Sequence, residues 1–384
     1  MFKNKDSLLV VTTSYPLTEG GVSGVFVKRL NETLSNYFCV RVICPSSINK
    51  PEIDVKEARY APRVWQVLAQ QPGGLPVALK KNKFLLFFVP FLLMSLFINV
   101  LLSLKDAKYL LSHWSLSGLI SGVANLFFKR KSIVVFHGSD AVNLSRSFVK
   151  KTLAWVAIKL NDNCIGVSEE ITNNLKTMFP ELSHKIHFIP NGVSSRFLDI
   201  PVLKNDEVIN LVTVSNLNPL KGVADILYAF KKLEESNVCL NIVGDGAIRT
   251  ELENLTADLG LENCVKFYGN IAPDEIPLIL SENQIFILAS YSEGRPSVIL
   301  EAMAAGKAVV ATKLPGILEL IEDKRNGLLF NAGNVESLSL LLSQLLKDHQ
   351  LISRLGAAAK DSIINRKLSW EETAEQYQLL LTNL

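Results

Sequence analysis

Short apolar runs alternate with segments of helical spacing along the whole chain, and this alternation limits the possible folds more than any other feature. Strands are expected near Leu8–Thr12, Val40–Cys44, Tyr109–His113, Ile133–Phe136, Asn163–Gly166 and Lys185–Ile189. Helices fall between them, as at Val25–Asn36, Phe84–Leu104 and Gly118–Phe127. After a polar stretch, Asn191–Val208, a second series begins, with strands near Asn210–Val214, Cys239–Val243, Val265–Tyr268, Ile285–Leu288 and Ala308–Ala311. Its helices lie near Val223–Leu233, Ile248–Leu259, Ser297–Ala305 and Val335–Asp348. Strand–helix–strand alternation implies parallel sheets joined by right-handed crossovers. With 384 residues the chain is long enough for two such α/β units. The final segment, 369–384, reads as an amphipathic helix that packs back on the body, with Trp370 and Tyr377 on one face.

Charge divides unevenly between the two series. Residues 1–190 hold 23 Lys+Arg against 12 Asp+Glu, and the remainder hold 17 against 25. A basic first half points to an anionic partner: a membrane surface, a phosphorylated acceptor or nucleic acid. Nucleic acid is disfavoured, because basic residues interleaved with stacking aromatics are lacking; the Lys129–Arg130–Lys131 cluster reads as a helix-to-strand turn. The five cysteines show neither a paired motif nor metal-ligand spacing, and read as small core residues of a reducing compartment. No signal peptide is expected ahead of the first strand, which places the protein in the cytoplasm. Phe84–Leu104 is uncharged over 21 residues and flanked by Lys80, Lys81, Lys83 and Lys105. Its length could cross a bilayer, but the strands that follow must rejoin the sheet begun before it. An interfacial helix, buried on one face and lying on an anionic leaflet, is expected instead.

The chemistry concentrates at expected strand ends, where doubly wound sheets bind ligands. After the strand at Ile285–Leu288 come Glu293, Gly294, Arg295, Pro296 and Ser297, with Glu301 eight positions after Glu293. Pro and Ser suit a first helical turn, whose free N–H groups attract anions. A carboxylate at Glu301 suits vicinal sugar hydroxyls. Comparable strand-end loops hold Asn216 with Lys221, Gly244-Asp245-Gly246, and Gly269-Asn270-Ile271. In the first half they hold Gly20-Gly21, His113, and His137 with Asp140. Taken singly, each is as readily a turn, a surface lysine or a packed histidine.

The run Glu-Gly-x-Pro-x4-Glu-Ala-Met-Ala-x-Gly at residues 293–306 closely resembles the Glu-x7-Glu signature of retaining GT-B glycosyltransferases, in particular glycosyltransferase family four. The likeness extends in order and spacing over nearly the whole chain, through Val214–Gly222, Ile242–Gly246, Val265–Ile271, the hinge-like Ile189–Val193, Tyr15–Gly21 and Val135–Asp140. It implies two Rossmann-like domains facing across a cleft, 1–190 for the acceptor, joined by the returning helix 369–384, and 191–368 for a nucleotide-sugar donor. Catalytic roles would fall to His137, over the donor sugar, and to Glu293 and Lys221. Gly20, Gly21, Asn216, Gly269, Asn270, Ile271, Gly294, Arg295, Pro296, Ser297 and Glu301 would bind the donor, with His113 and Asp140 in the cleft. Asn216 stands where many members have Arg, which shifts the phosphate load toward Lys221. The implied reaction moves a sugar, with retention, to a lipid-linked or surface-polysaccharide acceptor. No cofactor is expected: neither Asp-x-Asp nor a His/Cys/Asp/Glu cluster at ligand spacing occurs, so Lys221 and backbone amides would meet the diphosphate. The alternatives are a nucleotide-sugar epimerase on the same fold and a non-enzymatic basic surface-binding protein. A dehydrogenase would need a Gly-x-Gly-x-x-Gly turn after the first strand, which is missing.

Overall fold

The computed structural model describes residues 5–17, 24–47, 54–68, 78–79, 82–141, 144, 147–200, 208–233 and 237–383. The chain forms two compact units, Met1–Asn191 with Trp370–Leu384, and Gly192–Ser369. The junctions fall one residue beyond those expected at 190/191 and 368/369. Each junction is pinned within its own unit. Thr373 Oγ1 donates to the Pro190 carbonyl at 3.0 Å in the first, and Val193 N–H donates to the Leu368 carbonyl at 2.9 Å in the second. The polar stretch from Asn191 is less of a linker than its composition implies, since Val193, Phe197 and Ile200 are buried in the second unit.

In the first unit seven strands pair in the order β3-β2-β1-β4-β5-β6-β7. They are β1 (Ser7–Thr12), β2 (Cys39–Pro45), β3 (Lys56–Ala58), β4 (Tyr109–His113), β5 (Lys131–Phe136), β6 (Asn163–Gly166) and β7 (Ile186–Phe188). Every pairing is parallel. Leu8, Leu9, Val10 and Val11 are all buried, as a parallel strand covered on both faces requires. The order reverses between β1 and β4, so the C-terminal ends of these two strands border the crevice where such sheets bind ligands. The closing helix, Trp370–Thr382, buries Trp370, Tyr377 and Leu381 in this unit's core. The expected shared face of Trp370 and Tyr377 is present.

The apolar run Phe84–Leu104 is a composite: a 3-10 segment Lys83–Phe88, an α-helix Val89–Ser103 and a 3-10 turn Leu104–Asp106. Pro90 explains the break, because proline lacks the N–H an interior turn needs but fits the first turn of the α-helix. Leu92, Leu96, Val100 and Leu104, four residues apart, are buried in a cluster with Leu9, Val11, Ile43 and Leu110. Of the cysteines, Cys44 and Cys164 are core residues with thiols raised by burial, Cys44 to about 12. Cys239 and Cys264 are partly buried, and Cys39, the first residue of β2, is exposed, contrary to a uniform core reading.

The second unit repeats the pattern with six parallel strands in the order β10-β9-β8-β11-β12-β13. They are β8 (Ile209–Val214), β9 (Val238–Val243), β10 (Val265–Gly269), β11 (Ile285–Leu288), β12 (Ala308–Thr312) and β13 (Leu328–Phe330). Here the reversal lies between β8 and β11. The loops that follow these two strands carry Lys221 and Glu293.

Candidate active site

In the second unit, close packing of two loops brings the expected residues together. After β8, Asn218 accepts from Leu220 N–H at 3.0 Å and starts a 3-10 turn, Pro219–Lys221. The turn ends at Gly222 with φ 62°, and a Cβ there would lie 2.2 Å from the Ala289 carbonyl oxygen. Only glycine tolerates both the left-handed backbone and that approach. Tyr291 N–H then donates to the Leu220 carbonyl at 2.8 Å, tying the loop after β11 to the loop after β8. As a result Lys221 Nζ stands 2.7 Å from Glu293 Oε1. The same oxygen accepts from Ser290 Oγ, also at 2.7 Å. Lys221 and Glu293 side chains are 24% and 11% exposed, so the pair is shielded yet reachable from solvent. Charge-assisted contacts of this kind are short and strong.

The helix Ser297–Ala304 starts directly beyond, with Pro296 at its N-cap and no side chain capping its N-terminus. Glu301 is half-buried on this helix. Gly294 is fixed by a very close approach, since a Cβ on Gly316 would overlap the Gly294 carbonyl oxygen at 1.1 Å. The Arg295 side chain is only 3% exposed and faces Glu319 at 3.8 Å. Its guanidinium therefore braces this loop in place and is not offered to solvent. Asn216, after β8, is exposed and accepts from Asn218 Nδ2 at 3.3 Å. Gly269 ends β10 with φ 70° after a register shift, and its carbonyl accepts from Gly244 N–H at 2.8 Å. Asn270 is exposed and Ile271 part-buried, leaving this segment at the same sheet edge as Lys221.

In the first unit the expected histidines form a buried pair at the ends of adjacent strands. His113 Nδ1 and His137 Nε2 are 3.0 Å apart, and the rings are stacked at 5.3 Å. Among the described residues, the other nitrogen of each ring has no hydrogen-bond partner. Burial lowers His113 to about 3 and holds His137 well below the usual histidine range, His113 adding to the effect. Both rings are thus neutral, each with one donor and one acceptor nitrogen. Asp140 accepts from the backbone N–H of His137 and of Ser115, both at 2.9 Å. Burial raises its carboxyl to about 7, against the lowering effect of those N–H groups. Phe26 and Trp114 close on His137, with ring centroids at 4.7 and 4.9 Å. Trp114 itself has φ 67°. A non-glycine residue held there costs about 1–3 kcal/mol, and such strain clusters at functional sites. Gly20 and Gly21 lie outside the described residues.

Two contributors escaped the sequence reading: Glu319 lies far along the chain from Arg295, and Phe26 stands at the start of a helix with no polar signature. Ser290, at the head of the Glu293 loop, is fully buried. Among the described residues no group of three or more His, Cys, Asp or Glu is arranged to hold a metal ion.

Residues 196–362 match the family described as Glycosyl transferases group 1. Among proteins, the chain is similar to the uncharacterized glycosyltransferase MJ1178 of Methanocaldococcus jannaschii, 29% identical over 62% of this chain and 65% of that one. It is also similar to the amylovoran biosynthesis glycosyltransferase AmsK of Erwinia amylovora, 27% identical over 64% of this chain and 63% of that one. The chain therefore covers a little under two thirds of the length of these curated relatives. Among solved structures, Anabaena Alr3699/HepE in complex with UDP superposes with a TM-score of 0.72 at 19% identity, over 98% of this chain and all of that one. The two parallel α/β units thus have the GT-B fold, and residues 196–362 match the model of the glycosyl transferases group 1.

Proposed function

We propose that this chain is a metal-independent, retaining hexosyltransferase of glycosyltransferase family four. It would move a sugar from a nucleoside-diphosphate donor to a hydroxyl of a lipid-linked or surface-polysaccharide acceptor. The observation that carries the reading is the Lys221–Glu293–Ser290 contact at the sheet reversal of the second unit, beside the uncapped Ser297 helix. Fixed cations and backbone N–H groups aimed at developing charge are the largest single source of catalysis in such reactions. Lys221 meets the diphosphate as the bond from the sugar's anomeric carbon to phosphate oxygen breaks. The acceptor oxygen bonds to that carbon from the same face, and its proton passes to the departing phosphate. Glu301 receives the ribose hydroxyls, and the loop Gly269–Ile271 reads the base through its main chain. His137, neutral and oriented by its neighbours, offers a hydrogen bond toward the sugar. The relative named for amylovoran biosynthesis supports a polysaccharide acceptor, and the basic first half supports action at the cytoplasmic face of an anionic membrane.

Incubation with a panel of nucleotide sugars, with and without crude lipid acceptor, tests the reading. Release of free nucleotide together with a glycosylated product is expected. Interconversion of the nucleotide sugar without nucleotide release would favour an epimerase on the same fold.

A further inference from the structure

The outer side of the Val89–Ser103 helix and of the turn before it carries an apolar stripe. Phe84, Phe87, Phe91, Met94, Ile98 and Leu102 follow each other at three- and four-residue steps, each between 46% and 61% exposed. Contiguous exposed apolar surface of this kind marks an interaction site. Trp65, 46% exposed and stacked 5.9 Å from Phe88, widens it at one end. At the other end Leu126 and Phe127 protrude, 60% and 72% exposed. That turn is joined to the stripe by Arg130, which donates to the carbonyls of Leu104 and Lys105 at 3.3 and 3.1 Å.

Charge names the occupant. Lys83 is exposed at the aromatic end of the stripe, and Lys105 and Lys129 are exposed at the far end. The acidic residues near that end are paired, Asp106 with Arg41 at 3.9 Å and Asp6 with Lys108 at 2.7 Å. Two copies of the chain packed stripe to stripe would set basic ends against basic ends, which repel. An anionic lipid surface satisfies both components at once, with aromatic rings at the headgroup level and lysines on the phosphates. Length and composition alone would allow Lys83–Asp106 to span. Spanning would strip Leu92, Leu96 and Val100 from the strands they cover.

We infer that this side of the first unit is a monotopic docking face for an anionic bilayer. The helix lies in the plane of the interface, apolar stripe down. The inference rests on the membrane-surface reading above and gives it named residues. It also gives an orientation. The helix leads into the start of β4, so its aromatic end lies toward the strand ends that carry His113 and His137. An acceptor anchored in the leaflet would emerge on that side.

Sedimentation of the full chain with phosphatidylglycerol–phosphatidylcholine vesicles tests it, using pure phosphatidylcholine as control. Binding to the anionic vesicles is expected, weakened but not abolished by high salt, and released by alkaline carbonate. The variant Phe87→Ser/Phe91→Ser/Met94→Ser alters exposed positions, so its circular dichroism should be unchanged while binding falls at every salt concentration. Lys83→Glu/Lys105→Glu should reduce the salt-sensitive part, by about fivefold or more for each lysine. Wild-type binding with the serine variant undiminished would overturn the docking face but leave the membrane reading standing. No binding by the wild type to either vesicle would overturn both. Resistance to carbonate would show a spanning helix and overturn the interfacial geometry, and salt-independent dimerisation lost in the serine variant would assign the stripe to a second copy.

Discussion

The two units share one topology, yet the chemistry at their strand ends is opposite in kind. In the second unit the reversal between β8 and β11 holds a charged contact, Lys221 on Glu293, partly open to solvent. In the first, the ends of β4 and β5 hold two neutral, buried imidazoles above a carboxyl raised to about 7. The same parallel scaffold thus presents fixed charge in one unit and uncharged hydrogen-bonding capacity in the other. A diphosphate carrying growing negative charge calls for the former. A sugar hydroxyl calls for the latter, since a cation there would hold its own hydration in preference to a neutral hydroxyl. The difference comes from the loops: short glycine-bearing turns in the second unit, and aromatic walls from Phe26 and Trp114 in the first.

The sharpest way to break this contrast is Lys221→Ala. Losing one preorganised contact to developing charge costs about 100- to 1000-fold in turnover. Nucleotide release should fall by that order while the thermal midpoint moves little. Equal turnover would remove Lys221 from the chemistry. Glu301→Gln should act on binding, weakening nucleoside diphosphate by about 1.5–3 kcal/mol, the worth of a hydrogen bond to a charged group. A full-strength calorimetric titration in that variant would exclude the ribose role.

The neutral site should show itself in acid. Between about pH 4 and pH 6.5 the unfolded chain carries protons on both His113 and His137 that the folded chain refuses, because their folded values lie far below the ordinary one. Asp140 runs the other way, keeping in the fold a proton that the unfolded chain has lost. For these three groups the net is one extra proton on the unfolded state, so together they should lower the stability of the first unit by about 1.4 kcal/mol for each pH unit of acidification in that window. His187, lowered by burial, acts in the same direction. Urea midpoints across the window check the slope, and His113→Asn should flatten it. An identical slope in the variant would mean that the imidazole pair is not held neutral. The smallest effect is expected from chelation: excess EDTA should leave turnover unchanged, whereas loss of activity restored by magnesium or manganese would contradict a site that relies on Lys221.

Much of this was legible in the sequence because long apolar strands in covered parallel sheets are hard to mistake. β4, β6 and β11 fall on their expected bounds, and the other expected strands lie within two residues of theirs. β3 and β13, three residues each, were missed, whereas the equally short β7 was found because it lies within a longer apolar run. The Phe84–Leu104 run was recognised as a helix buried on one face, but its division around Pro90 was not anticipated. At the candidate site, the expected loops carrying Lys221 and Glu293 do meet, at 2.7 Å. What spacing could not convey was pairing at a distance. The approach of Arg295 to Glu319 at 3.8 Å joins residues far apart in the chain, and the His113–His137 contact depends on the register of β4 against β5.

The central claim is that the second unit's strand ends hold a nucleoside diphosphate through Lys221. Calorimetric titration of the wild type and Lys221→Ala with UDP and GDP, both in excess EDTA, tests it most directly. The account predicts that the wild type binds at least one of the two nucleotides without metal, and that the variant binds it at least about tenfold more weakly, as loss of a charged hydrogen bond requires. Binding of neither nucleotide, or equal binding by both proteins, would contradict it.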